Sequence, residues 1–195
     1  MKRNYSTGFT LIELLVVVAV IAILAAIAIP NFLAAQIRSK VARTKAELNT
    51  VTEALESYNV DNNAYPLTTG YPPLMNEPIG ILPNQLSTPI AYISNVSFRD
   101  PFAQPGAVAN QLIYTYQNIN EYIINNPSSG YWPIALQIYG DWRICSIGPE
   151  GDYYNGGIAP TVQYDTSNGT VSPGNIWVGK TGFNPPTGPI YGPNS

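Results

Sequence analysis

Gly8-Phe9-Thr10-Leu11-Ile12-Glu13 opens onto Leu14-Leu15-Val16-Val17-Val18-Ala19-Val20-Ile21-Ala22-Ile23-Leu24-Ala25-Ala26-Ile27-Ala28-Ile29, and Pro30 closes the run. Glu13 is the single charge between Phe9 and Ile29, and 16 apolar residues follow it without a break. As a helix, Phe9–Ile29 covers about 31 Å, the thickness of a bilayer core. Three readings compete. A cleaved secretory signal has its basic start in Lys2 and Arg3 and a small-residue site at Ala26-Ile27-Ala28. A single-pass anchor needs only the length. Neither explains an acid here, since a carboxylate at the centre of a membrane helix costs about 2.5–3.5 kcal/mol, less near its end. An ionisable group in such a segment marks a function by default. In the third reading, cleavage between Gly8 and Phe9 creates a cationic α-amino group, which gives Glu13 a partner. Residues five apart lie on different faces of one helix, so Glu13 suits the amine of a neighbouring subunit better than its own. The pair then sets an axial offset between packed subunits.

Downstream of the run, Pro30 removes a backbone donor, so a bend or local unwinding is expected there. Helical spacing then resumes. Ile37, Val41, Thr44, Leu48, Val51, Leu55 and Tyr58 trace one face, with Arg38, Arg43, Lys45, Glu47, Glu53 and Glu56 opposite. The face predicts packing on a sheet rather than a coiled-coil seam, because the e/g charge pattern is weak. Asp61-Asn62-Asn63 ends the helix, since Asn and Asp favour turns and tolerate the left-handed region. From Phe9 to Tyr58 the helix is roughly 75 Å long.

The rest of the chain has a different composition. Of 195 residues, none is His and one is Cys, which excludes imidazole catalysis, His-based zinc sites and an internal disulfide framework. The net charge of −3 shows no basic footprint for nucleic acid. Nearly all Gly and Pro follow residue 60, together with 12 of the 14 tyrosines and all three tryptophans. Disordered chains are poor in aromatics, so this acidic, turn-rich part reads as a folded, loop-rich β body. Residues 67–110 predict loops or short helical pieces. Leu112–Tyr116, Ile134–Tyr139 and Trp142–Ile147 predict strands, the last two as a hairpin across Gly140-Asp141, with Ile176–Val178 as a final short strand. Cys145 reads as a small buried hydrophobe. The tyrosines read as amphipathic edges of the sheet, with a sugar-binding surface as the alternative.

Lys2-Arg3, Gly8-Phe9-Thr10-Leu11-Ile12-Glu13 and the later Pro30 together resemble the prepilin N-terminus shared by type IV pilins and type II secretion pseudopilins. The stretch from Ala46-Glu47-Leu48 through Ala54-Leu55-Glu56-Ser57-Tyr58 to Asp61-Asn62-Asn63-Ala64-Tyr65-Pro66 resembles the arm and corner of the major type II secretion pseudopilin. The resemblance implies a leader over 1–8, a transmembrane and polymerisation helix over 9–30, an amphipathic arm over 31–60, an α+β body over 61–179 and an irregular tail over 180–195. The implied fold is α+β and type IV pilin-like: a long N-terminal helix, kinked near Pro30, whose second half packs on a small antiparallel sheet.

The implied function is a non-enzymatic fibre subunit, cut after Gly8 and N-methylated on Phe9 by a prepilin peptidase, and assembled through Glu13 and Pro30. It implies a homopolymer, minor pseudopilins and an inner-membrane platform as partners, and membrane lipid around the helix. The N-terminus is expected in the cytoplasm and the body in the periplasm; the basic residues on both sides of the apolar run leave this orientation open on charge alone. Ser146-Ile147-Gly148-Pro149-Glu150-Gly151-Asp152 is similar to the family's strand-end loop, which holds calcium. Asp152 and Asp165 are the candidate ligands, with plain turn residues as the alternative reading. A type IV pilin or minor pseudopilin is the nearest rival function, and an anchored exported binding protein or enzyme the rival from another class.

Overall fold

The computed structural model describes residues 9–68, 80–104, 112–151, 164–165 and 174–182. The chain divides into two compact units, Met1–Arg38 and Ser39–Ser195. Its elements are α1 (Leu11–Asn62), β1 (Gly80–Ile81), a 3-10 turn (Asn84–Leu86), β2 (Thr115–Asn118), α2 (Ile119–Asn125), α3 (Tyr131–Tyr139), β3 (Trp142–Ser146) and β4 (Ile176–Gly179).

Helix α1 stays helical through Pro30, without unwinding. The first unit is greasy on all sides. Its large apolar side chains from Leu11 to Leu33 are all exposed, and the segment is long and apolar enough to cross a membrane. In the second unit the same helix has one buried stripe of Val41, Thr44, Leu48, Val51, Ala54 and Leu55, which follows the 3-and-4 spacing of the sequence. Its end is set by Asn63, whose φ of 51° lies in the left-handed region that Asn tolerates. The Asn63 N–H still reaches back to the Asn59 carbonyl at 2.8 Å.

Four strands form one antiparallel sheet in the order β1-β2-β3-β4. Thr115 lies opposite Cys145, and Cys145 opposite Trp177. Every residue of β2, β3 and β4 is buried, as the apolar content of Trp142–Ile147 and Ile176–Val178 predicts. Cys145 is a free, buried thiol, and burial pushes its pKa well up. The strand expected at Leu112–Tyr116 begins later, at Thr115. Upstream of it, Ile113 makes only an isolated bridge to Arg99.

The strand expected at Ile134–Tyr139 is instead the second half of α3, so the expected hairpin to Trp142 does not form. Between β2 and β3 lies a pair of short helices. Three features favour helix here. Pro133 falls in the first turn, where no intrahelical donor is required. Trp132, Ala135 and Tyr139 are buried at helical spacing. Gly140, at φ 78°, stops the helix, its N–H donating to the Leu136 carbonyl at 3.0 Å. Asn118 caps α2 by accepting from the Glu121 N–H at 3.2 Å. Tyr122 of α2 then stacks on Trp132 of α3 at 4.4 Å.

Behind β3 lies a buried cation. Arg143 has no exposed surface, and four rings surround its guanidinium: Trp177 at 4.6 Å, Tyr139 at 5.1 Å, Tyr131 at 5.6 Å and Trp132 at 5.7 Å. Its Nε donates to Gln117 Oε1 and its Nη1 donates to the Tyr131 hydroxyl at 2.6 Å. Helix α3 therefore supplies three of the four walls, and β4 the fourth. Gly179 of β4 belongs to the same packing, since a Cβ there would lie 2.5 Å from the Tyr139 carbonyl oxygen.

Candidate assembly site

The helix begins with a capping box. In Thr10-Leu11-Ile12-Glu13, the Glu13 carboxylate accepts from the Thr10 N–H at 2.8 Å and from the Thr10 hydroxyl at 2.6 Å. The Glu13 N–H donates back to Thr10 Oγ1 at 3.3 Å. A Thr three residues before a Glu forms this reciprocal pair and satisfies donors that a helix start otherwise leaves open. The sequence reading placed Glu13 in the first turns but missed the cap; the T-x-x-E spacing carries it. Phe9 precedes the cap and is 72% exposed. Gly8, the other residue of the expected cleavage junction, lies outside the described residues. Pro30 lies inside α1, and the next residue, Asn31, turns its amide back onto the Ile27 carbonyl at 3.0 Å.

In the second unit, the polar flank of α1 is held by aromatic donors. The Tyr114 hydroxyl donates to Glu47 at 2.5 Å, and Glu47 also pairs with Arg43 at 2.8 Å. Glu56 accepts from the Tyr65 hydroxyl at 2.9 Å and from Trp142 Nε1 at 3.2 Å. Asp61 accepts from the Tyr92 hydroxyl at 2.9 Å. Burial, followed by the hydrogen bond to Glu47, pushes the Tyr114 hydroxyl far above the ordinary tyrosine pKa. It is therefore a donor at every physiological pH. The sequence places Glu47 and Glu56 on the face opposite the apolar stripe but does not name these aromatic donors. The signal available was the pairing of many tyrosines with few bases, since a carboxylate drawn against such a body finds hydroxyl and indole donors rather than ammonium groups.

Tyr114→Phe tests this clamp. The substitution keeps the ring and removes one charge-assisted hydrogen bond, so a loss of about 1.5 kcal/mol is expected. That is a fall of about 3–6 °C in melting temperature for a chain of this size. An unchanged melting curve would show that the Tyr114–Glu47 contact holds nothing.

The two candidate calcium ligands are not brought together within the described residues. Asp152 lies outside them; Asp165 is described, exposed and outside any element. Glu150, in the same loop, accepts from the Gly174 N–H at 3.2 Å. Among the described residues no group of three or more acidic, Cys or His side chains could hold a metal ion. A further acid, Asp100, is buried where β3 ends and accepts from the Phe102 and Ile147 N–H groups, each at 2.9 Å. Burial raises its pKa above the usual carboxylate value.

Residues 3–29 match the prokaryotic N-terminal methylation motif, and residues 31–117 match protein G of the type II secretion system. Among curated relatives, the type II secretion system core protein G of Pseudomonas aeruginosa is 40% identical over 81 residues, covering 41% of this chain and 57% of the relative. The type IV wide pilus major component PilA4 of Thermus thermophilus is 55% identical over 63 residues, or 32% of this chain and 47% of the relative. The core protein G of Aeromonas hydrophila is 29% identical over 106 residues, or 54% of this chain and 73% of the relative. The chain thus spans roughly half of the first two relatives and more of the third. No solved structure matches it. With the methylation motif ahead of the capped apolar helix, and the protein G match running on through the arm into β2, the chain is similar to type II secretion protein G and to type IV pilins over its N-terminal part.

Proposed function

We propose that this chain is the major structural subunit of a type II secretion fibre. The observation that carries the reading is the contiguity of the two family matches, 3–29 and 31–117, with the helix that joins them. In this reading a prepilin peptidase cuts after Gly8 and methylates Phe9. The apolar first unit lies in the inner membrane, the N-terminus faces the cytoplasm and the second unit the periplasm. Subunits then polymerise through their apolar helices, with Glu13 pairing with the Phe9 amine of a neighbour. Minor pseudopilins and an inner-membrane platform are the accessory partners. The role is structural rather than enzymatic.

Mass analysis of the purified membrane protein tests the processing. The expected N-terminus is N-methylated Phe9. An intact Met1, or a start at Ile29 after signal cleavage, would overturn the reading.

The high identity to PilA4 favours a second reading, a type IV pilus subunit. Deletion separates the two: lost secretion with normal surface pili supports the secretion fibre, and lost surface pili with normal secretion supports the pilus.

We also propose that Asp152 and Asp165 contribute to a calcium site after β3. Carboxylates and backbone carbonyls are the oxygen donors that calcium takes. Adding a calcium-specific chelator to the full-length protein in detergent is expected to lower its melting temperature by several degrees, since a ligand bound only to the native state stabilises it. Restored calcium should reverse the shift and magnesium should not. A melting curve indifferent to both would remove the site.

A further inference from the structure

The body carries a cleft that neither the fibre reading nor the comparisons use. It lies among the end of α1, the chain after it and α2, and its volume is about 690 Å³. Sites for small molecules occupy about 300–1,000 Å³ and combine apolar walls with a few convergent polar groups.

The lining is rich in amides, and part of it is already occupied. Asn118 donates to the Pro66 carbonyl at 3.1 Å and caps α2, while Asn120 donates to Asp141 at 2.8 Å. The side chains of Asn59, Asn63 and Asn125 make no hydrogen bond to another described residue. Each offers two donors and an acceptor. Leu67 and Ile124 line the same cleft and are 60% and 78% exposed. Apolar side chains left this far in water beside unused amides are what a ligand carrying both kinds of group would cover.

Charge narrows the class. The lining holds two acids, Glu121 and Asp141, and one base, Lys180. Lys180 pairs with Asp141 at 2.6 Å, and Glu121 accepts from the Thr68 N–H at 2.6 Å. These charges answer one another, with an acidic remainder that disfavours a phosphate or carboxylate ligand. The ligand is therefore neutral and rich in donors and acceptors. Its apolar part meets aliphatic walls, because the Lys180 ammonium covers the face of the Tyr65 ring at 5.2 Å. A bare sugar ring would seek an open aromatic face; an acetamido methyl fits an aliphatic pair.

We propose that this cleft binds a short oligosaccharide of acetamido sugars. Asn59, Asn63 and Asn125 bond its hydroxyl and acetamido groups, and Leu67 and Ile124 receive the acetamido methyl. The site rests on the body alone and stands whether or not the fibre reading does.

The test uses the full-length protein in detergent micelles and triacetylchitotriose as probe, read by saturation-transfer NMR and calorimetry. The expected result is saturation strongest at the acetamido methyl protons, with a dissociation constant of about 1 mM or tighter. Asn59→Ala, Asn63→Gly and Asn125→Ala together weaken binding by about tenfold or more at an unchanged melting temperature, Gly at position 63 keeping the left-handed backbone. Asn125→Ala alone, on the exposed end of α2, weakens it in the same direction. No saturation transfer to the probe, affinity unchanged in the triple variant, or strongest transfer to the ring protons would each overturn the proposal. So would a silent probe alongside binding of penta-alanine, which would assign the cleft to an extended peptide.

Discussion

Glu13→Ala prepilin is expected to be cut and methylated normally and to form no fibres visible by electron microscopy. The proposed junction, Gly8–Phe9, lies outside the altered side chain, so processing is expected to survive. Assembly loses two things. One is the capping box with Thr10, which satisfies the open donors of the helix start. The other is the charge proposed to meet a neighbour's amine, an attraction that strengthens where lipid or packed helices exclude water. Because each subunit in a fibre repeats the contact, the loss multiplies along the polymer.

Glu13→Gln separates the two contributions. Gln at the third helical position preserves a capping box but carries no charge. If the charge matters, Glu13→Gln assembles no better than Glu13→Ala; fibres restored by Gln would assign Glu13 to the cap alone. Normal fibres from Glu13→Ala would contradict both.

The largest expected effect on the body comes from Arg143. Arg143→Ala empties the space among Tyr131, Trp132, Tyr139 and Trp177 and strips Gln117 Oε1 and the Tyr131 hydroxyl of their donor. Large-to-small changes in a core cost about 2–5 kcal/mol, and orphaned polar groups add to that. A loss of about 4 kcal/mol is expected, or about 8–16 °C in melting temperature. Arg143→Lys should recover little, since a compact ammonium neither stacks among four rings nor spans both acceptors. Arg143→Met should be milder than Ala, because it fills the volume and removes a buried charge. Thermal denaturation followed by near-ultraviolet circular dichroism reads all three. A Lys variant as stable as the wild type would show that the aromatic box contributes nothing specific to the guanidinium.

The arm was legible because its signals are local and periodic. Val41, Thr44, Leu48, Val51 and Leu55 sit at the spacing of one helical face, and that face is buried. Asn63 ends the helix as an Asn-rich turn should. The central strands were legible because Trp142–Ile147 and Ile176–Val178 are short runs of β formers. Ile134–Tyr139 was misread as a strand for the same reason. A six-residue apolar run fits a buried strand or a buried helix turn equally well, and only Pro133 and the spacing of Trp132, Ala135 and Tyr139 decide it. The capping box is written in the T-x-x-E spacing of Thr10 and Glu13, whose carboxylate finds its nearest donors within its own chain.

By itself the sequence determined the apolar first unit with its single acid, the amphipathic arm and the likeness to an N-terminal methylation motif, because each is written in consecutive residues. The tertiary structure alone decided the contacts between residues far apart in the chain. It brought Tyr114 to Glu47, Trp142 to Glu56 and Tyr92 to Asp61, across separations of 67, 86 and 31 residues. It enclosed Arg143 with rings from α3 and β4 and gathered Asn59, Asn63 and Asn125 around one cleft. The physical reason is common to all of these. In a body with so few charges, the partners of Glu47, Glu56, Asp61 and Arg143 are chiefly aromatic and amide side chains, which have no sequence spacing of their own and meet only when the sheet and its helices are in place.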